Sequence, residues 1–521
     1  MMSSSPFTVQ KRVLAASGLA LGVAMMVTSC SVANSDSSDG NSADKVRIVL
    51  AQEPPTLEPC DASLTATGSV VRSNITEPLV ERNPESGQID PLLATKWEAT
   101  GDTEWTFTLR EGVKFQDGTA FNAKAAKFAI ERVLESSVDC NVKGYVFGDE
   151  KLTVDAKDDS TLVISTSVAD PILPLRISFI EMVPSTTSTT EKVHDPIGTG
   201  PYQVEKWDAG TKLTLSRFDD YWGDAPTFKT AEYQWRAEGT IRAAMITSGE
   251  ADIAMGLGPD DGAGDLAVSF PNNETTAIRM TGTIEPFTDI RVRQAVAHAI
   301  DQEGIIKSLH KGAGFEPATQ LVRSGIVGHN DDLKLVGFDV NKAKQLIAEA
   351  KADGVAVDNK ITLVARNAQF PKVSEEAEVI QKELTDIGLN VELKMVDTTE
   401  HLEYQLTPFV TDQGAIALLI QHGNQAGDAQ FTVDQYMSTT GAQSVYGTPE
   451  LDAMLKAAAL KSGDERQDAY AEIFAYQNEK VVQFAYLAHQ TGELGKSARV
   501  AYKPNAATGD ELHIADITLA K

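Results

Sequence analysis

The chain of 521 residues carries 46 Lys and Arg against 74 Asp and Glu, a formal net charge of −28 at neutral pH. A surface this acidic disfavours nucleic acid and anionic lipid as partners. It is weakly compatible with cationic ligands, although solubility alone accounts for it.

Lys11-Arg12 precede an apolar run from Val13 to Val27, shorter than the ~20 residues of a membrane-spanning helix and ordered like a signal peptide. It ends Val27-Thr28-Ser29-Cys30. Small residues ahead of a cysteine resemble a lipobox, so residues 1–29 are read as a lipoprotein signal peptide and Cys30 as the acylated first residue of the mature chain. The alternative is ordinary cleavage nearby with Cys30 an incidental thiol. Residues 30–44, rich in Ser, Asp, Asn and Gly, lack what a core needs and read as a flexible tether. Loss of Lys11 and Arg12 takes the net charge to about −30, and the remaining ~490 residues exceed one core and predict two or three domains. Cys60 and Cys140 are then the remaining thiols. An even pair in an exported chain argues for a disulfide, against the alternatives of two unpaired buried thiols or a metal pair, which would lack the further ligands of a closed zinc site.

In chain order, Val46–Leu50 predicts a first strand, followed by irregular, proline-rich 53–59. A helix is expected to end near Pro78. Trp105, Phe107 and Leu109 share one strand face, Asp117-Gly118 turns a hairpin, and Asn122 caps a helix. Thr161–Ser165 is a strand, and Gly200-Pro201-Tyr202 opens a strand pair with Lys212–Ser216. Ile241, Met245 and Ile246 form the apolar stripe of a short helix that leads into an Asp-Ile strand. Asp289 caps a helix with Val292, Val296, Ala299 and Ile300 as its apolar face and Gly312 as its terminator. Asp339 caps another, carrying Ala343, Leu346, Ile347 and Ala350. Ile361–Ala365, Ser374–Asp386 and Leu389–Val396 make a β-α-β unit with parallel, right-handed pairing. Ala415–Ile420 is a buried strand, Thr448-Pro449 opens a helix, and a last long helix spans Asp464 to Val482 before Phe484-Ala485-Tyr486. No internal repeat is present.

No chemistry-bearing motif emerges. The glycine-rich pieces lack a G-x-x-x-x-G-K-[ST] phosphate loop, a strand-associated G-x-G-x-x-G and a G-x-S-x-G elbow. The eight histidines never fall at helix-turn spacing from one another. Neither cofactor nor metal is called for.

Three blocks carry a resemblance: Pro91–Leu134, PLLATKWEATGDTEWTFTLREGVKFQDGTAFNAKAAKFAIERVL; Ile197–Trp222, IGTGPYQVEKWDAGTKLTLSRFDDYW; and Phe287–Asp301. Together they resemble the family 5 extracytoplasmic solute-binding proteins of ABC importers, of oligopeptide, dipeptide and nickel type. The resemblance implies an α/β, two-lobed, periplasmic-binding-protein-like fold (class II, cluster C) with discontinuous domains and an extra subdomain in the first lobe. The expected division is 45–68, 195–280 and 488–521 for lobe I, 69–194 for the subdomain and 281–487 for lobe II. It implies a lipid-anchored, monomeric, non-enzymatic receptor on the outer face of the cytoplasmic membrane, capturing peptides between closing lobes for an ABC permease with its ATPase subunits. Closure on a solute buries it where strand ends and loops offer backbone groups.

Site residues follow from the same resemblance. Counting from Glu58-Pro59, where the family has Asp-Pro or similar, places ligand-backbone contacts at Ser63, Leu64 and Thr65, with Ser63 in place of a family acid. Tyr145 falls where a cleft aromatic of the subdomain would lie, or is an ordinary packing aromatic, and a Cys60–Cys140 bond would tie together two walls of the same cleft. Asp428 is the candidate carboxylate for a peptide ammonium, or a solvated loop aspartate, and His422 a second-lobe ligand contact. His422-Gly423-Asn424 stands where relatives have a tryptophan, which weakens the peptide reading. The same machinery carrying a nickel chelate, opine or sugar is the alternative within the class; an exported hydrolase or structural surface lipoprotein is the alternative outside it.

Overall fold

The computed structural model describes residues 43–521 apart from 65, 84–85, 141, 149, 312–314, 368, 410–413 and 505–510, and these form one compact unit. Cys30, Thr65, Gly312 and the signal and tether segments lie outside the described residues. No helix among the described residues is long and apolar enough to cross a membrane.

An eleven-stranded mixed sheet runs through the unit. At one end Lys45–Leu50 pairs in parallel with Thr230–Trp235 and Ile253–Ala254, and the antiparallel pair Tyr202–Asp208 and Lys212–Arg217 completes the first-lobe half. At the other end Lys360–Arg366 lies parallel to both Asn390–Val396 and Ala415–Gly423. The crossover helix Val373–Asp386 covers this half, as the β-α-β reading requires. Ile361, Leu363 and Ala365 face one apolar cluster while Val364 faces another, so this strand is buried on both sides. Each large side chain so enclosed stabilises the lobe by about 1.5–3 kcal/mol.

Two long antiparallel strands, Ala267–Met280 and Phe484–Lys496, join the halves. Ala267–Pro271 pairs with Thr491–Gly495, beside the first-lobe strand Ile253–Ala254. Ala277–Arg279 pairs with Phe484–Tyr486, beside the second-lobe strand Ala415–Gly423. The register slips between Pro271 and Thr275 and again between Thr275 and Ala277. Such bulges bend and twist a strand and re-aim its side chains; here they fall at the joint between the two halves of the sheet.

A separate four-stranded antiparallel sheet, built from Ala94–Gly101, Glu104–Leu109, Thr161–Ser165 and Thr153–Ala156, forms the subdomain. The helix Ala123–Glu135 packs against it, its first turn closed by Asn122, which accepts from the amides of Lys124 and Ala125. Glu58 is fully buried, takes a bidentate pair from Arg132 at 2.7 and 3.0 Å and accepts from the amides of Cys60 and Val193. Cys60 and Cys140 are disulfide-bonded across a sequence separation of 80, with Cα atoms 5.3 Å apart.

Three local expectations need correction, and a fourth, the turn at Asp117-Gly118, holds. No α-helix runs up to Pro78: the segment is the 3₁₀ turn Ala66–Ser69 and further turns, with Ser73 at φ 57° and the Asn74 side chain bonded to the Leu512 carbonyl and the Ile514 amide instead of a helix ladder. Asp117-Gly118 turns a short hairpin, with the Phe115 amide on the Thr119 carbonyl, the Phe121 amide on the Val113 carbonyl and the antiparallel bridge Lys114 to Ala120 between them. Ile241 is 47 % exposed; the buried face of helix Gly239–Thr247 is Arg242, Ala243, Met245 and Ile246. The helix begun at Asp289 stops at Ala299, because Asp301 caps a second one, Gln302–Leu309.

Candidate functional site

Parallel strands of an α/β sheet leave a crevice beyond their carboxyl ends, and ligands bind there. In this chain the carboxyl ends of both halves converge at the joint. Gly256 and Leu257 follow the first-lobe strand, Gln369 follows Lys360–Arg366, Gln421 lies near the end of Ala415–Gly423, and Asn272 and Glu274 come from the slipped part of the crossing strand. Together they line a cavity of about 240 Å³.

The lining is polar and rich in amides. Gln421 donates Nε2 to Glu274 Oε2 at 2.6 Å and to Gln490 Oε1 at 3.0 Å; Asn272 Nδ2 donates to the same Glu274 oxygen at 3.3 Å. The Glu274 amide returns to Asn272 Oδ1 at 2.8 Å, so the bulge is closed by its own side chains. Arg323 braces the joint by donating to the carbonyls of Asn272 and Gln490 while pairing with Glu316. Gln369 donates to the Leu419 carbonyl, and its Oε1 accepts the Arg366 amide. The hydroxyl oxygen of Thr491 is buried in the wall with no hydrogen-bond partner among the described residues.

Burial raises the Glu274 carboxyl above the ordinary glutamate value, against the hydrogen bonds of Gln421 and Asn272 and the field of Arg366. Glu493, also in the wall, is raised by burial and by Asp261. Neither carboxylate has an ion-pair partner among the described residues, and neither has the half-buried guanidinium of Arg366. Charges taken partly out of water without direct partners are costly, and they concentrate at functional sites.

The lobes also touch on the subdomain side. Tyr145 stacks on Phe431 with ring centroids 6.2 Å apart, Phe179 lies 6.3 Å from the same ring, and Arg176 sits over it at 5.0 Å. Arg82 donates to the Gly325 carbonyl at 3.1 Å.

The residues named from sequence scatter. Tyr145 is at the seam, half-buried, its hydroxyl pushed up to about 12 by burial, in the wall of a groove separate from the amide-lined cavity. Ser63 is spent inside the first lobe: its hydroxyl donates to the Phe179 carbonyl and accepts from Arg72 at 2.7 Å. Leu64 is the last residue of the short 3₁₀ turn Pro59–Leu64. His422 points away from the cavity, because side chains alternate along a strand and Gln421 takes the inward position. Its Nε2 meets the Thr432 hydroxyl at 2.7 Å, its ring meets Tyr436 edge-on, and burial lowers its pKa to about 4, so it packs as a neutral imidazole.

Asp428 needs the largest correction. It is 1 % exposed, and Arg466 pairs with it through Nε at 2.7 Å and Nη2 at 2.8 Å while the Gln430 amide takes Oδ1. Both its oxygens are occupied by this buried, forked pair, which gives the carboxylate a structural partner where a solute ammonium was expected. Glu274, Gln421 and Gln490 were not singled out from sequence. The alternation through Pro271-Asn272-Asn273-Glu274 is broken by proline and two asparagines, so no strand period marks them.

One cluster elsewhere offers metal-type donors: Glu81, Glu511 and His513. Burial disfavours the His513 cation, but the Glu511 hydrogen bond and the charges of Glu81, Glu511 and Asp516 prevail and push it up to about 9. Its ring is an ion-pair partner of Glu511 at 3.2 Å and Glu81 at 3.7 Å.

The family description "Bacterial extracellular solute-binding proteins, family 5 Middle" matches residues 88–444. The dipeptide-binding protein of Escherichia coli K12 is 27% identical over 362 residues, 62% of this chain and 66% of that protein. The glutathione-binding protein GsiB of Salmonella typhi is 25% identical over 452 residues, 82% of this chain and 85% of the relative. Among solved structures, the ABC transporter substrate-binding protein CtaP of Listeria monocytogenes superposes with a TM-score of 0.80 at 21% identity, covering 92% of this chain and all of that one.

Proposed function

Because the chain belongs to the family 5 bacterial extracellular solute-binding proteins, the solute receptors of ABC importers, we propose that its cargo is a short peptide, held in the cavity at the joint between the lobes. The observation that carries this reading is the ring of amide side chains, Asn272, Gln369, Gln421 and Gln490, drawn from the crossing strands and the second lobe around one cavity. Primary amides supply both donors and acceptors, as peptide groups require. A volume of about 240 Å³ lies just below the usual range of roughly 300–1,000 Å³ for ligand sites and suits two or three small residues better than a long chain. Relatives named for dipeptide and glutathione binding support the same class.

The rest of the machine follows in the same reading. Acylated Cys30 holds the receptor at the outer face of the membrane, and the tether gives it reach. The crossing strands 267–280 and 484–496 are the hinge, with 45–68, 195–280 and 488–521 as lobe I, 69–194 as its subdomain and 281–487 as lobe II. A monomer then delivers unaltered cargo to a permease with its ATPase subunits, and Tyr145 closes on Phe431 as the seam shuts.

Native mass spectrometry of gently purified protein tests it. A bound mass resolving into short peptides is the expected result, together with a melting temperature raised by added dipeptides that are recovered uncleaved. A co-purifying sugar or metal chelate, with no response to dipeptides, would replace the peptide assignment by another solute. Cleavage of the added peptide would overturn the receptor reading.

A further inference from the structure

The cavity wall contains a carboxylate for which the fold supplies no cation. Glu274 lies on the bulge between the two register slips, turned into the cavity by the break in strand geometry. Its Oε2 accepts from Gln421 and Asn272, both neutral amides, while Oε1 has no hydrogen bond from any described residue. The charged groups acting on it or sharing its wall are Arg366, at the end of its own strand and outside ion-pair distance, and Glu493 across the cavity. Several fully buried carboxylates of this chain have an arginine beside them: Glu58 with Arg132, Glu181 with Arg72, Asp252 with Arg47 and Arg499, Asp428 with Arg466. Glu274 has none, and unlike Glu77, whose carboxylate is closed off by Thr199, Tyr221 and Trp222, it faces a cavity.

We propose that Glu274 is the specificity-determining anchor for a cationic amine of the solute, the role that Asp428 is too fully engaged to play. This rests on the joint cavity being the solute site. An ammonium entering it takes the open oxygen of Glu274 as a charge-assisted acceptor, and the amides beside it accept the remaining N–H groups. Placed on the hinge, the anchor reads the amine only when both lobes surround it.

The test uses the purified chain and two matched probe sets, L-alanyl-L-alanine with glycyl-L-leucine and their N-acetylated counterparts, titrated calorimetrically against wild type, Glu274→Gln, Glu274→Asp and the cavity-filling Ser269→Trp. Wild type is expected to bind the free-amine set and to lose roughly 10- to 100-fold for the acetylated set. Glu274→Gln should lose a similar factor for the free amines and little for the acetylated probes, and Glu274→Asp should recover part of it. A purely structural role would weaken both sets alike and would overturn the proposal, as would free-amine binding unchanged in Glu274→Gln. If Ser269→Trp abolishes binding while Glu274→Gln does not, the anchor fails and the cavity stands. If neither variant matters, or wild type binds no probe, the peptide reading of this cavity fails with it.

Discussion

Replacing Asp428 by alanine separates a structural carboxylate from a ligand anchor. The substitution leaves the Arg466 side chain, 3% exposed, without its counter-charge and removes the acceptor of the Gln430 amide. Breaking a buried pair from one side costs about 3–5 kcal/mol, since the surviving charge stays buried and uncompensated. Arg466 keeps the Gln430 side-chain oxygen at 2.8 Å and longer contacts of 3.3–3.4 Å to the carbonyls of Ala458, Ala459 and Lys461. These place the loss at the lower end, about 3 kcal/mol. Urea unfolding followed by tryptophan fluorescence and circular dichroism reads it as a lower midpoint. The double variant Asp428→Ala/Arg466→Met should recover much of the loss, because the orphaned charge is gone. Calorimetry on the folded single variant should find solute affinity within a few-fold of wild type. Unchanged unfolding together with abolished binding would refute the reasoning and return Asp428 to the role of ammonium anchor.

Replacing Cys60 and Cys140 together by alanine opens a loop of 80 residues and should destabilise the protein by about 4 kcal/mol in the chain-entropy treatment; an unchanged urea midpoint in the reduced-versus-oxidised comparison would contradict it. His513 binds its proton up to about pH 9 in the folded chain, against about 6.5 when unfolded, so the native state holds more protons in that window. Its stabilisation is complete below about pH 6.5 and disappears as pH rises through 9. Glu181, pushed up to about 8 by burial despite Arg72, loses stability in the same direction. The His513 share is therefore the difference between wild type and His513→Asn, which should shrink between pH 6.5 and 9 in thermal melts. At Gly427, φ is +77° and an added Cβ would lie 1.9 Å from Arg82 Nε. Gly427→Ala should push the lobes apart at that contact and weaken solute binding by roughly tenfold, the positive-φ strain alone costing about 1–2 kcal/mol; small-angle scattering and calorimetry on the same sample check both halves of this.

Legibility followed the strength of local signals. Asp339 with Ala343, Leu346, Ile347 and Ala350 marks cap and buried stripe together, and the helix Val340–Ala352 buries those same four residues. Thr448-Pro449 and Asn122 work in the same way. The β-α-β unit was readable because three consecutive periodic segments admit one compact connection. The strand Ala267–Met280 was not: its middle, Pro271 to Thr276, is polar and kinked, and its fourteen residues are held by partners far away in sequence. Ile241 misled because a three-residue stripe fixes a helix but not which side faces inward. At the site, resemblance pointed to Asp428 and His422 by position along the chain, whereas the side chains that reach the cavity are set by strand alternation and a bulge. Neither can be read without knowing which strands pair.

The proposed placement of the site on a hinge has an energetic consequence. Across the proposed lobe boundary run Phe431 against Tyr145 and Phe179, the Arg176 cation over Phe431, the Arg82 hydrogen bond to Gly325, and the exposed ion pairs of Asp260 with Lys311 and Lys372. At about 0.5–1.5 kcal/mol for each aromatic pair, 0.5–1 for the cation over the ring and 1.5–3 for the charged hydrogen bond, with the exposed ion pairs adding little, they total several kcal/mol. Moving an open–closed balance from 1:99 to 99:1 takes about 5.5 kcal/mol of differential affinity, the same order as these contacts. In the proposed reading the solute's contacts at Glu274, Gln421 and Gln490 add to a seam of comparable strength and so can decide between open and closed. Since those groups lie on the crossing strands and the second lobe, while Gly256 and Leu257 bring the first lobe to the same cavity, a solute makes its full set of contacts only when the hinge has turned. Occupancy and shape are then one variable, which is what a permease must read to distinguish a loaded receptor from an empty one.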